Sequence, residues 1–307
     1  MLTVGDLTPV EFAARLTTGG IGVRLGPFDT RVRATVRGLA VPMQHLYRHY
    51  PLLDDQPRVH SFHVHMRELP NLRLGRARLV RFTVDGYATH EDMPTDHALA
   101  VLEWGINFVV AMRFSSFLML HSAVLERGGR ALVMPASPGH GKTTLCAALA
   151  HRGWRLFSDE FGLMRPQSDQ FVPMPRPMPL KNESIAVLRE FAPEAVLGPE
   201  IPRTRKGTVA HVRAPLASVK RSGEHAPAGW IVFPRWRAGA RFSLQELPRS
   251  DGFLRLATNA FNYEKLGAIG FDTLKRLVDG CRCFRLEYSD LEQAVSALTL
   301  LADQDAR

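Results

Sequence analysis

The alternation of apolar and polar positions separates a mixed N-terminal stretch from a longer stretch with more buried strands. Near the start, Thr8 to Leu16 reads as a helix, with Thr8 as cap and Pro9 at the first helical position, where a missing N–H costs little. Ile21 to Leu25 and Phe28 to Val36 read as short strands around Gly26-Pro27, and a helix is expected near Met43 to His49. Val59 to Met66 and Arg78 to Val84 have strand character, the second ending at the turn Asp85-Gly86. Pro94-Thr95-Asp96 then opens a helix running to about Phe114.

The pattern sharpens after that helix. Phe117 to Glu126 is an apolar strand, Arg127-Gly128-Gly129 a turn, and Arg130 to Pro135 a second strand. A glycine-containing loop follows, then a helix from Lys142 to His151 and a short strand, Arg155 to Ser158, ending in Asp159-Glu160. Strand, loop, helix, strand, acid is the order that phosphate-loop nucleotide-binding proteins need. Pro173 to Pro179 carries four prolines and is expected to be irregular. Ile185 to Phe191 reads as a helix, Trp230 to Phe233 as a buried strand, Phe271 to Val278 as a helix, Cys283 to Leu286 as a strand and Leu291 to Leu301 as a helix. The expected class is α/β (α+β), with an N-terminal α+β module over 1–94 and a catalytic domain over 95–307.

Composition narrows the partners. Lys and Arg total 39 against 30 acids, a formal charge of +9 that favours anionic partners. The cations are scattered and show no aromatic–basic interleaving, so nucleic acid is not an expected partner. The three cysteines are too few for a disulfide framework or a cysteine-based metal site, and read as packing residues in a reducing compartment. Asp6 and Glu11 interrupt the N-terminus, so no signal peptide is expected. Asn107 and Arg113 break the apolar run from Ile106 to Leu120, which is shorter than the ~20 residues of a membrane span. A cytoplasmic protein without membrane attachment is the expectation.

The chemistry centres on Ala136-Ser137-Pro138-Gly139-His140-Gly141-Lys142-Thr143, close to the phosphate-loop (Walker A) pattern G-x-x-x-x-G-K-[ST], with Ala136 in place of the first glycine. Backbone N–H groups from Ser137 to Thr144 would cradle phosphate oxygens at a helix N-terminus. Lys142 would reach the β- and γ-phosphates and the Thr143 hydroxyl a Mg²⁺ or Mn²⁺ ion. As a loop residue, Lys142 is expected to be exposed and dispensable for folding. Asp159 and Glu160 are candidates for metal binding and for accepting a proton. On an extended backbone they would point to opposite sides. The alternative for the pair is a solvated strand end, and for His121, in its apolar strand, a core histidine.

Three runs together resemble HPr kinase/phosphorylase, and more closely the HPr kinase-related kinases, especially the group called HPr kinase-related kinase A. They are His121-Ser122-Ala123-Val124, Ala136 to Leu145, and Gly153-Trp154-Arg155-Leu156-Phe157-Ser158-Asp159-Glu160. Arg176-Pro177, Leu180 to Ile185, Thr204 to His211 and Asn262 to Gly267 look like the same group. The resemblance implies a phosphate-loop core shared with ATP-dependent phosphoenolpyruvate carboxykinase. It also implies ATP and Mg²⁺ as cofactors, Lys142 on the phosphates, Thr143 on the metal, and the acidic pair as metal ligand and general base. His121 is similar to a histidine that faces metal and phosphates. HPr kinase proper is a hexamer, so a homo-oligomer is expected. The chain departs from the family in having Glu160 where HPr kinase has a second aspartate, and in carrying only Arg205-Lys206-Gly207 as an echo of its glycine-rich substrate signature.

A kinase acting on a hydroxyl of a protein, peptide or small molecule is the leading reading. A nucleotide-binding regulator or ATPase acting on a partner protein, and a carboxykinase-like lyase, are the alternatives. Asp159 is assigned the main catalytic role and Glu160 a supporting contact. Arg176 and Lys181, with Arg205 and Lys206, are candidate phosphate or substrate contacts, and at least one of Arg176 and Lys181 is expected to point into the phosphate site.

Overall fold

A computed structural model describes residues 2–53, 59–70, 78–137, 139–166 and 168–305. The N-terminal stretch contains α1 (Pro9–Thr18), β1 (Ile21–Leu25), β2 (Phe28–Thr35), α2 (Ala40–Tyr47), β3 (Phe62–Glu68), β4 (Leu79–Val84), β5 (Tyr87–Ala88) and β6 (Met93–Pro94). A 3-10 turn at Thr95–His97 leads into α3 (Ala98–Arg113). The core follows as β7 (Leu118–Arg127), β8 (Arg130–Pro135), α4 (Lys142–Ala150), β9 (Arg155–Ser158), β10 (Phe161–Met164), β11 (Gln170–Val172), β12 (Met178–Lys181) and α5 (Glu183–Phe191). The remainder is β13 (Ile201–Thr204), β14 (Gly207–Val212), α6 (Leu216–Lys220), β15 (Ala226–Trp236), β16 (Ser243–Leu247), α7 (Arg249–Thr258), α8 (Tyr263–Asp279), β17 (Arg282–Tyr288) and α9 (Leu291–Asp305).

Among the described residues the architecture is mixed α/β with three sheets. The central sheet has the order β11-β10-β7-β8-β15-β17-β16, with β9 pairing β7 beside β10. Within it β8, β15 and β17 run parallel, so their C-terminal ends gather on one edge, where open α/β sheets bind ligands. Helices α4 and α9 pack on one face, over a cluster that includes Leu125, Leu132, Leu145 and Leu156. Helices α7 and α8 cover the other through Leu256, Leu274 and Leu277, against Leu118, Val133 and Ile231.

The first sheet runs β1-β2-β3-β4-β5, with β6 on β4, and the small third sheet runs β12-β14-β13. One apolar cluster is shared by the two stretches: Leu46, Phe82, Leu102 and Ile106 belong to it together with Leu145 and Met178. Gly26, at φ 59°, lies so close to the backbone of Pro173 and Met174 that a Cβ would clash with Pro173 O. Tyr50 Oη donates to Pro175 O at 3.0 Å. The proline-rich segment is thus held against the N-terminal stretch.

Several boundaries differ from the sequence pattern for identifiable reasons. Helix α8 begins eight residues before Phe271, at Tyr263, because Gly267 (φ 54°, ψ −129°) interrupts it and hides the helical period. Strand β12 starts at Met178, at the end of the expected irregular segment, and tolerates Pro179 because it is an edge strand. Among the described residues no helix is long and apolar enough to cross a membrane, and Cys146, Cys281 and Cys283 are buried free thiols.

Candidate phosphate-loop site

The loop between β8 and α4 is shaped by two glycines in the left-handed region, Gly139 (φ 85°) and Gly141 (φ 81°). That conformation costs other L-residues steric energy. At Gly141 space is also short: a Cβ would meet Tyr288 Oη at 2.8 Å and Trp236 Cβ at 2.9 Å. These two residues end the parallel strands β17 and β15 and clamp the loop from the sheet edge. Trp236 N donates to His140 O at 3.1 Å, and Tyr288 Oη reaches Gly141 O at 3.4 Å. His140 N donates to Ser137 O at 3.3 Å, closing the turn. Thr143 and Thr144 lie in the first turn of α4, half-buried. Pro138 lies outside the described residues.

Lys142 is buried rather than exposed, at 8% of its accessible surface. Its ammonium donates to the backbone carbonyl of Asp159, which brings the loop to the acids across one strand. Strand β7 lies between them, paired with β8 on one side and with β9 and β10 on the other. Val124 pairs with Ser158 and His121 with Phe161, leaving two residues on each strand between those pairs. The acids therefore follow the end of β9, as the sequence pattern predicts, and precede β10. They interrupt what is otherwise one continuous partner of β7. The Ser158 hydroxyl accepts from Phe161 N at 2.9 Å and Glu160 N at 3.2 Å, replacing part of the missing ladder.

The pair meets two environments, although both acids line one cavity. Asp159 is buried at 6%, and neither carboxylate oxygen has a hydrogen-bond partner at normal geometry. Burial pushes its carboxyl up; Lys142 opposes this, the Glu160 charge adds to it, and the nearby Thr143 hydroxyl favours the ionised form. Glu160 moves the other way. Burial works against its ionisation, but Lys142, His121, Lys206 and Lys181 together hold its carboxyl below the usual range. His121 Nε2 stands 3.5 Å from Glu160 Oε1, with the imidazole against Phe261 at a centroid distance of 5.4 Å. Desolvation first, and Lys142 second, lower the His121 pKa, which favours a neutral ring.

The four outlying cations divide. Lys181, at the end of β12, keeps its surface largely exposed, yet its charge acts on Asp159, Glu160 and His121. Partial desolvation and then Lys206 lower its own pKa. Lys206 contributes to the same field from the turn before β14, its ammonium 5.3 Å from the Trp104 ring centroid. Arg176 lines the cavity but is committed elsewhere: Nη2 pairs with Glu103 Oε2 at 2.5 Å and Nη1 donates to Asn107 Oδ1. Arg205 pairs with exposed Glu91 at the surface.

The cavity is walled by Glu103, Trp104 and Asn107 of α3, by the acids, by Met174, Arg176, Pro177 and Pro179, and by His211 of β14. The α3 wall, and His211 at the end of the run Thr204 to His211, were not singled out from the sequence pattern as lining the site. A lone Glu103 inside the apolar run Leu99 to Ile106 was the available signal. His211 is fully buried with neither ring nitrogen hydrogen-bonded, and desolvation lowers its pKa to about 4.

A divalent cation fits part of this arrangement. Asp159 offers unpartnered oxygens and Thr143 a hydroxyl, the hard donors that Mg²⁺ takes together with phosphates and water. No group of three or more His, Cys, Asp or Glu able to hold a metal is gathered among the described residues, so phosphate oxygens would complete the shell.

No family model matches the chain, and no curated protein sequence matches it. Among solved structures it is similar to an HPr(Ser) kinase/phosphatase from Coxiella burnetii, at 10% identity and a TM-score of 0.26, over 61% of this chain and 95% of that one.

Proposed function

We propose that this chain is an ATP- and Mg²⁺- (or Mn²⁺-) dependent kinase that transfers the γ-phosphoryl group to a hydroxyl acceptor, either a serine of a protein or peptide or a small molecule. The observation that carries the reading is the union of loop and acids: Lys142 sits on the carbonyl of Asp159, whose carboxylate is buried without a partner. Catalysis of phosphoryl transfer is mostly positioning and charge neutralisation. Gly139, His140, Gly141 and the first turn of α4 would hold the β- and γ-phosphates through backbone N–H groups. Lys142 would leave the Asp159 carbonyl for the phosphates. Thr143 and Asp159 would hold the divalent ion, which supplies charge neutralisation when bound.

Asp159 then accepts the acceptor's hydroxyl proton as the new O–P bond forms and the bond from γ-phosphorus to the β-γ bridging oxygen breaks. ADP carries away the electron pair. A carboxyl raised by burial suits a base working near neutral pH. Glu160 and His121 orient water or metal, while Lys181 and Lys206 offset charge that develops on the transferred group.

A second reading, a nucleotide-binding regulator, draws on one contact. Tyr47 of α2 donates to Glu103 at 2.5 Å, and Glu103 holds Arg176 at the cavity, so the N-terminal stretch touches the site directly. Incubation with γ-labelled ATP separates the two: label transferred to a cell-extract component supports the kinase, whereas free phosphate released without any labelled acceptor supports the regulator.

A further inference from the structure

Away from the phosphate loop, positive charge accumulates where α2 meets the chain around β14 and α6. His45, Arg48 and His49 follow one another around the last turn of α2 and the turn after it, within reach of the residue after β14, Arg213, and the last residue of α6, Lys220. Arg213 Nη2 stands 3.1 Å from His45 Nδ1, and Arg213 Nε is buried without a hydrogen-bond partner. A half-buried guanidinium left partly unsatisfied is costly.

No ion pair engages Arg48, Arg213 or Lys220 among the described residues, whereas Arg24, Arg81, Arg127, Arg155 and Arg176 each have a carboxylate partner. Asp6 feels Arg48 least among the groups around it and is occupied in accepting from Thr3 N at 2.7 Å and Thr3 Oγ1 at 2.9 Å. The like charges act on one another: desolvation and then Arg213 and Arg48 lower the His49 pKa, and desolvation and then Arg48 lower that of Arg213. The C-terminal end of α2 accounts for a favourable place for a cation. It does not account for three cationic side chains from three elements, none with an ion-pair partner among the described residues. Guanidinium and ammonium groups converging in this way match a phosphoryl group better than a single carboxylate.

We propose that Arg48, Arg213 and Lys220, together with His45 and His49, form a second anion site that binds a small soluble phosphate-bearing ligand. The site is built from elements that also reach the cavity: α2 carries Tyr47, bonded to Glu103, and His211 lies two residues before Arg213. An occupant would tie the N-terminal stretch to the core through α2, β14 and α6.

The test uses the full chain carrying Lys142→Ala, which removes the lysine of the phosphate loop, and inorganic pyrophosphate as the probe. Calorimetry and thermal melting are run against chloride at equal ionic strength. Pyrophosphate is expected to bind and raise the melting temperature. Arg213→Gln should weaken binding about tenfold or more, as expected for a charge-assisted contact. Because Arg213 also touches His45, the exposed double variant Arg48→Gln/Lys220→Gln gives the same readout with little risk to folding. No binding beyond the chloride control, or full binding by the double variant, overturns the proposal. So does a response only to anionic phospholipid vesicles and not to soluble pyrophosphate.

Discussion

The ammonium of Lys142 is seated on the main-chain carbonyl of Asp159, so the lysine of the glycine loop and the first of the two acids are in direct contact. Lys142 is consequently part of a buried contact. Lys142→Ala is expected to abolish turnover and weaken ATP binding, while Asp159, having lost its first compensating cation, retains a proton to higher pH. Calorimetry with ATP and circular dichroism on the same sample check both halves; unchanged affinity and turnover would remove the loop from the mechanism.

The split environment of the acids predicts unequal losses. Asp159→Asn should cost about 10²–10⁴-fold in turnover, the usual range for a general base, with ATP still bound. Glu160→Gln, which leaves Asp159 and Thr143 to hold the ion, should cost less and raise the metal requirement only modestly. Acceptor phosphorylation measured across a Mg²⁺ titration distinguishes them, and equal activity of Asp159→Asn and parent would refute the assignment.

Gly141 and Gly139 offer a sharper geometric test. Both have positive φ, but only at Gly141 would a Cβ strike Tyr288 and Trp236. Gly141→Ala should therefore lose nucleotide affinity far more than Gly139→Ala, whose added methyl meets open space. Similar affinities for the two variants would show that the clamp from β15 and β17 does not shape the loop.

Arg176 and Glu103 form a buried ion pair at 2.5 Å. Removing one partner, as in Glu103→Gln, should cost about 3–5 kcal/mol by stranding the other charge. The double variant Glu103→Gln/Arg176→Met should recover part of that loss. Urea unfolding of the three proteins reads it out, and a single variant as stable as the parent would contradict the pairing.

His211 gives the pH dependence a sign. Burial lowers its pKa to about 4 in the folded protein, against ~6.5 in the unfolded chain. Below pH ~6.5 the unfolded state binds a proton that the folded state refuses, so stability falls on acidification through this window, by up to about 3 kcal/mol. Above it His211 contributes no slope. His211→Gln should flatten the stability profile between those values; an unchanged profile would place the acid sensitivity elsewhere.

The loop, the helix after it and the acid pair were legible because each depends on local chemistry: two glycines, a lysine and a threonine at fixed spacing, then a strand ending in acids. The cavity's other walls were not. Glu103 and His211 lie far from the loop in sequence and reach it only through packing of α3 and β14. Arg176 shows the same limit in reverse. Its position after prolines suggested a phosphate contact, but a partner 73 residues away holds its guanidinium. Strand β10 stayed hidden because two consecutive acids suggested an end, whereas β7 carries the register past them.

That register acts as a ruler. Strands β8, β7 and the paired β9 and β10 are spaced by hydrogen-bonded ladders, each step about 4.8 Å, so the gap between loop and acids is set by backbone rather than by side chains. Exchange of the N-terminal stretch, or divergence of the helices over the sheet, leaves that gap untouched. A one-residue deletion between Phe157 and Phe161 would not, since it turns every following side chain of β10 to the opposite face. Divergence in what the protein acts on is therefore free to proceed in the cavity walls, while insertions and deletions in this short segment are barred.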